Sequence, residues 1–124
     1  MFLGEGMSSA LKTVLSDFTR IEGVRGACII SKDGFMVESV MPVGGIDPDA
    51  LAAMIVTLFG TAARMGEELK MGSTELVTIE FMNNYVLIED LGDVVFTVIA
   101  ERAALLGRIR YEMKRQKDRV RAAL

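Results

Sequence analysis

Hydrophobic positions along the 124-residue chain change their spacing several times, and each spacing predicts a different element. Five segments alternate or run apolar as β-strands do, and three segments repeat every three to four residues as helices do. The predicted strands are Val24–Ser31, Phe35–Val40, Thr74–Phe81, Tyr85–Glu89 and Val94–Ala100, and the predicted helices run from Ser8 towards Gly23, from Asp47 to about Lys70, and from about Ala103 onward. The element order is therefore α-β-β-α-β-β-β-α.

Turn residues between neighbouring strands indicate how the strands pair. Asp33-Gly34, Asn83-Asn84 and Gly92 each separate two strands by a short turn, and short turns join antiparallel strands. Two strands, Val24–Ser31 and Val94–Ala100, carry apolar residues at most of their odd and even positions. This pattern is typical of strands that are covered on both faces. The sequence therefore predicts an α+β fold with a five-stranded, mostly antiparallel sheet and helices on both faces. Residues 1–7 are expected to be a loose N-terminal extension, residues 8–124 one domain, and residues 42–46 a loop.

The central helix carries more apolar surface than one sheet can cover. At about 100° per residue its apolar arc spans roughly 240°, where one-sided burial needs about 100°. The sector expected to face the sheet comprises Leu51, Met54, Ile55, Leu58, Ala62, Met65 and Leu69. The second sector comprises Ala52, Val56, Phe59, Gly60 and Ala63. This second sector is expected either to pack on another helix of the chain or, as we favour, to meet its own copy in a twofold dimer.

Composition supports an interface over a membrane span. Hydrophobic residues make up 51% of the chain, and the 12 glycines take the apolar share well above the roughly 45–50% usual for a soluble domain. The longest charge-free apolar run in a helix, Ala50–Ala63, has 14 residues, whereas a spanning helix needs about 20. No secretion signal is recognisable at Met1–Ser9, so a cytoplasmic protein that associates with itself is expected.

The residue types present also exclude most chemistry. The chain has no histidine, and its one cysteine, Cys28, lies in a strand expected to be buried. It has no phosphate-binding GxxxxGK[ST] motif, and its acidic pairs lie where they would cap helices. We therefore expect no catalytic residue, no cofactor and no metal site, and an enzyme in its own right is the weakest interpretation.

Charge is distributed unevenly along the chain. The net charge of −3 argues against nucleic-acid binding, but residues 101–124 alone carry a net charge of +5. A solvated face, docking on an acidic partner, and contact with an anionic membrane all remain open for this basic terminal helix. We consider membrane contact the least favoured of the three, because its apolar stripe is expected to face the core.

Four segments together resemble the roadblock (dynein light chain roadblock-type) domain family, including its prokaryotic, MglB-like branch. They are IEGVRGACIISKDGFMVES at Ile21–Ser39, DPDALAAMIVTLFGTAARMGEEL at Asp47–Leu69, YVLIEDLGDVVFTVIAE at Tyr85–Glu101 and LLGRIRYEMKR at Leu105–Arg115. The resemblance implies a roadblock/profilin-like sandwich that dimerises by pairing the strand Thr74–Phe81 with its copy. It also implies that the two central helices lie together on one face and that a small Ras-like GTPase docks there.

These observations lead to one functional hypothesis and two alternatives. The chain is expected to be a homodimeric regulator or adaptor of a small Ras-like GTPase, either GTPase-activating or scaffolding. The expected dimer interface comprises Ala52, Val56, Phe59, Gly60, Ala63, Glu75, Val77 and Ile79, and the expected GTPase contact comprises Thr57, Thr61, Arg64 and Glu68. The alternatives are a passive assembly module of a multiprotein complex and a small-molecule sensor, which would need a sizeable pocket.

Overall fold

Five antiparallel strands form one sheet with helices on both faces, as the sequence predicts. The computed structural model describes the backbone of residues 2–42 and 46–124 and the side chains of residues 10–42 and 46–124. In chain order the elements are α1 (Phe2–Thr19), β1 (Val24–Ser31), β2 (Met36–Val40), α2 (Pro48–Glu68), β3 (Leu76–Glu80), β4 (Asn84–Asp90), β5 (Val94–Glu101), α3 (Leu106–Arg115) and α4 (Lys117–Ala122). The strand order across the sheet is β2-β1-β5-β4-β3.

The two doubly apolar strands lie side by side near the middle of the sheet. β1 pairs with β5 over nearly its whole length, from Val24 opposite Ala100 to Ser31 opposite Val94. Helices cover both faces of this pair, which explains why both strands are apolar on both parities. β2 and β3 are the two edges of the sheet.

The sheet separates two cores of unequal size. The larger core packs α1, α3 and α4 against one face, and in it the Phe18 ring meets the Phe96 ring edge-on at 4.8 Å. The smaller core packs α2 alone against the other face through Ala52, Ile55 and Phe59. One face therefore carries three helices and the other carries one.

The predicted turn and cap signals are confirmed. Gly34 and Gly92 both have a φ of +96°, the left-handed region that glycine adopts readily. The Asp47 carboxylate accepts a hydrogen bond from the Asp49 backbone N–H at 3.1 Å, and Pro48 follows at the first helical position. The short turns keep successive strands adjacent, and the cap fixes where α2 begins.

Two helix boundaries differ from the prediction. α1 begins at Phe2 and not at Ser8, so the prediction of a loose segment ahead of Ser8 is wrong for the backbone from Phe2 onward. Extending an existing helix costs far less than nucleating one, so Gly4 and Gly6 do not stop it. The single terminal helix expected is two helices, with the break at Gln116. Residues 43–45 of the predicted loop lie outside the described residues.

Candidate functional site

The outward side of α2 carries a stripe of large apolar side chains exposed to solvent. Met54 is 60% exposed, Leu58 40%, Met65 59% and Leu69 57%. Their spacing of four, seven and four residues keeps them on one side of the helix. We call these four residues the α2 stripe. A contiguous exposed apolar surface of this kind marks a protein interface more often than an ordinary solvated face.

The structure agrees with only part of the two apolar sectors expected on this helix. Leu51 and Ile55 pack against the sheet as predicted, whereas Met54, Leu58, Met65 and Leu69 are exposed. Ala52 and Phe59 are buried against the chain's own sheet, while Val56 and Ala63 pack half-buried on the same core. The prediction that Ala52 and Phe59 meet a second copy is therefore wrong. The hydrophobic period gives relative angles around a helix, and with two apolar sectors it does not say which one faces the sheet. Small residues lie inward because they let α2 approach the strands closely.

Gly60 differs from the rest of its sector. It is exposed, and a Cβ built on it would have no heavy atom within 4 Å. No described residue beyond the helix's own backbone therefore requires a glycine there. Its contact with a second copy stays a prediction.

The edge strand β3 lies beside the α2 stripe. The edge of β3 away from β4 has no partner strand among the described residues. Glu75 is exposed just ahead of the strand, and Val77 and Ile79 are half-buried on its α2 side. A groove of about 990 Å³ follows this edge between the end of α2 and α3. The interface predicted for Glu75, Val77 and Ile79 stays a prediction, and the geometry leaves room for it.

A polar row flanks the α2 stripe on the side away from β3. Thr57, Thr61, Arg64 and Glu68 are all exposed. The Thr61 hydroxyl donates to the Thr57 carbonyl at 2.9 Å, and Arg64 forms no ion pair with any described residue. Their contact with a GTPase stays a prediction.

The titratable groups with shifted pKa values do not form a reactive constellation. Burial raises the pKa of the Cys28 thiol to about 12, although the neighbouring Thr97 hydroxyl opposes the shift, so the thiolate that would react is scarce at neutral pH. Among the described residues no three His, Cys, Asp or Glu side chains come together as metal ligands.

Glu89 is a buried acid that the sequence reasoning missed. It is 4% exposed in β4, and its Oε1 has no hydrogen-bond partner among the described residues. Burial raises its pKa to about 7, partly offset by Lys117, Arg121 and Lys114 on the helices above it. The alternation of side chains along the strand could have revealed it. Glu89 lies two residues after Leu87, so both side chains are on the same buried face of the sheet.

Two further features bear on the alternatives. A cleft of about 450 Å³ lies beside the start of α2, lined mainly by apolar residues such as Met36, Leu51 and Ile99, with Arg25 and Ser39 as polar members. It is large enough for a small ligand, so the sensor alternative stays open.

By length and composition alone, α2 could also cross a membrane, and it is the one helix in the described part of the chain of which that is true. In the fold it packs on the sheet.

Comparisons with known proteins agree with this architecture. The family model described as Roadblock/LC7 domain matches residues 10–100. The uncharacterized protein MJ0310 of Methanocaldococcus jannaschii is 34% identical over 109 residues, covering 88% of this chain and 95% of that protein. Myxococcus xanthus MglB has a TM-score of 0.83 at 18% identity, covering 92% of this chain and 96% of that one. A structure described as MglB with tetrameric arrangement has a TM-score of 0.82 at 18% identity, covering 95% and 93%. At these identities the two structures show the fold alone.

Proposed function

Because this chain belongs to the Roadblock/LC7 family, we propose that it acts as a homodimeric regulator or adaptor of a small Ras-like GTPase, without catalytic residues of its own. The observation that carries the proposal is the α2 stripe beside the open edge of β3. An exposed apolar helix face next to an unpaired strand edge is a liability for a monomer, and a second copy would cover both at once.

The dimer interface therefore moves to the opposite side of α2 from the one the helical period favoured. In a twofold dimer the same patch meets its copy, so the α2 stripes pack together while the two β3 strands pair edge to edge. The tetrameric arrangement named for one structurally similar MglB supports self-association. Val77 and Ile79 lie on the α2 side of β3, so they would extend the same apolar seam.

The polar row beside the stripe supplies the proposed GTPase contact. Thr57, Thr61, Arg64 and Glu68 stay exposed once the stripes are covered, which leaves them as a ridge along each helix of the pair. Arg64 is the residue of this row best placed to contact an acidic group, because no described carboxylate holds it.

The action on the GTPase is proposed to be indirect. An inserted arginine can stabilise the charge of the phosphoryl-transfer transition state directly. Arg102 is a poor candidate, because it forms an ion pair with Glu80 and lies 4.9 Å above the Tyr85 ring. Arg64 sits on a helix face and not on a protruding loop, which suits docking and reshaping of a partner better than insertion.

The deciding experiment is co-purification with a GTPase encoded nearby, followed by single-turnover GTP hydrolysis with and without this protein. We expect a complex and a changed hydrolysis rate. Arg64→Glu should abolish the complex, while Arg20→Glu, an exposed arginine at the end of α1, should leave it intact. Replacing Arg64 by Ala separates two routes, because an inserted arginine would lose rate enhancement while binding persists.

Each remaining outcome has a definite meaning. A complex without any rate change would favour the passive assembly module. Failure to form a complex with any cognate GTPase, in either nucleotide state, would overturn the proposal.

A further inference from the structure

We propose that the surface of α3 and α4 docks an acidic segment of a partner protein. The surface is formed by four cations, which we call the basic face: Arg110, Lys114, Lys117 and Arg121. It lies on the sheet face opposite α2, and the groove beside Arg110 and Lys114 also borders Met65 and Leu69 of the α2 stripe.

Two other cations on these helices are already paired. Arg115 binds Glu112 at 2.8 Å, and Arg119 binds Asp17 of α1 at 2.5 Å. None of the four basic-face residues has a carboxylate within 4.0 Å in the described part of the chain. Arg110 reaches only the neutral Thr78 hydroxyl, at 3.3 Å. These two helices therefore hold a surplus of positive charge that the fold does not neutralise.

Glu89 is a buried acid that interacts electrostatically with three of these cations. It lies buried beneath Lys114, Lys117 and Arg121 and forms an ion pair with none of them. Because its pKa is about 7, it carries only part of a negative charge near neutral pH. Glu89 therefore offsets only part of this positive charge.

The cations of the basic face repel one another along each helix. Arg110 and Lys114 are four residues apart on α3, and Lys117 and Arg121 are four residues apart on α4. Like charges at this spacing are neighbours on a helix and destabilise it. Such an arrangement is favourable when an anionic partner covers it.

The exposed apolar side chains of these helices bear on the class of partner. Helices that bind bilayers combine cations with exposed apolar side chains that enter the lipid. Within α3 and α4, Tyr111 is the one large apolar side chain of the described set that is well exposed. Leu105 and Leu124 are exposed just outside the two helices, and Met54, Met65 and Phe35 lie elsewhere. The overall charge of −3 disfavours nucleic acid.

The groove along α3 favours a polypeptide. Arg110, Tyr111 and Lys114 form its α3 wall, and its other lining residues include Met65, Leu69, Glu75 and Leu76. A concave surface with two cations, an aromatic ring and an aliphatic side chain suits a segment rich in Asp or Glu that also carries an apolar residue.

The test measures fluorescence anisotropy of a labelled Glu/Ala peptide with one central Leu, using its Gln/Ala counterpart as the neutral control. We expect the full chain to bind the acidic peptide and not the neutral one, with affinity falling as NaCl rises from about 0.05 M to about 0.5 M. Lys114→Glu should weaken binding about tenfold, and Lys12→Glu, the same change at an exposed site on α1, less than about twofold.

Arg110→Glu is a second variant in case Lys114→Glu does not fold, which circular dichroism would show. Equal binding by wild type and by a folded basic-face variant would overturn the inference, as would no binding of the acidic peptide at low salt. Binding to phosphatidylserine vesicles or to single-stranded DNA without binding to the peptide would also overturn it and would name a different partner class.

Discussion

The two helical layers of this fold divide stability and recognition between them. Three helices on one face bury the larger core, with Leu15, Phe18, Ile109 and Met113 fully enclosed, and present charge to solvent. A single helix on the other face buries a smaller core and presents an apolar stripe to solvent. The contrast indicates that the first layer is complete within one chain, whereas the second needs something to cover it.

The largest expected effect lies in the three-helix layer. Phe18→Ala removes a ring packed against Phe96 and should lower the free energy of unfolding by about 3–5 kcal/mol. Phe35→Ala, at a ring that is 66% exposed, should change it by less than about 0.5 kcal/mol. Urea denaturation of both variants measures the difference, and similar losses for the two would contradict the division between layers.

The next effect tests whether the one-helix layer is an interface. Wild-type protein should scatter light as a species of about twice 13.5 kDa. Met65→Glu should weaken self-association by about 2–3 kcal/mol, because it places a charge in the apolar seam. Ala53→Glu, on the same helix but outside the α2 stripe, should remain dimeric.

A monomeric wild type at micromolar concentration would reject the interface, and unfolding of Met65→Glu would show that the stripe belongs to the core. Val56→Glu is a poor test, because Val56 packs half-buried on the small core.

A smaller effect concerns Glu89 in the three-helix layer. Its raised pKa means that the folded chain holds a proton that the unfolded chain releases between about pH 4.5 and pH 7. The contribution of Glu89 to stability should therefore be fully present below this window and be lost as the pH rises through it. Glu89→Gln should be more stable than wild type by about 1–3 kcal/mol at pH 8, with a smaller difference at pH 5. Thermal unfolding across this range checks it, and parallel pH profiles would refute it.

The smallest effect compares two glycines inside α2. Gly60→Ala should stabilise the chain by about 0.5–1 kcal/mol, because the new methyl group meets open space. Gly66→Ala should gain nothing, because its Cβ would lie 3.0 Å from the Gly72 carbonyl oxygen. Denaturation of a monomeric background, such as Met65→Glu, isolates the two substitutions from self-association. Equal stabilisation by both would show that the Gly72 contact imposes no constraint.

Strand pattern and turn chemistry were sufficient to predict the sheet. β1 was predicted with the observed bounds. Apolar residues at both odd and even positions of β1 and β5 indicated strands covered on both faces, and these two strands are neighbours near the middle of the sheet. These features depend on neighbouring residues, which a sequence displays directly.

The interaction surfaces were predicted less well. A helix with two apolar sectors does not reveal which one faces the sheet. Phe59 was therefore predicted at the dimer interface but is buried, and Met65 was predicted on the sheet but is exposed. The break at Gln116 has no Gly or Pro to announce it, and it is followed by Val120 entering the larger core. In both cases distant parts of the chain decide the outcome.

The pairing of β1 with β5 has a consequence for the order in which the chain can fold during synthesis. The two strands are neighbours in the sheet but lie far apart along the chain, with β2, α2, β3 and β4 between them. Contacts of such long range close late. The hairpin of β1 and β2 must therefore wait, with the apolar flank of β1 uncovered, until β5 has left the ribosome. During that interval the nascent chain is more exposed to misassembly than the finished domain, and chaperone binding is expected to concentrate there.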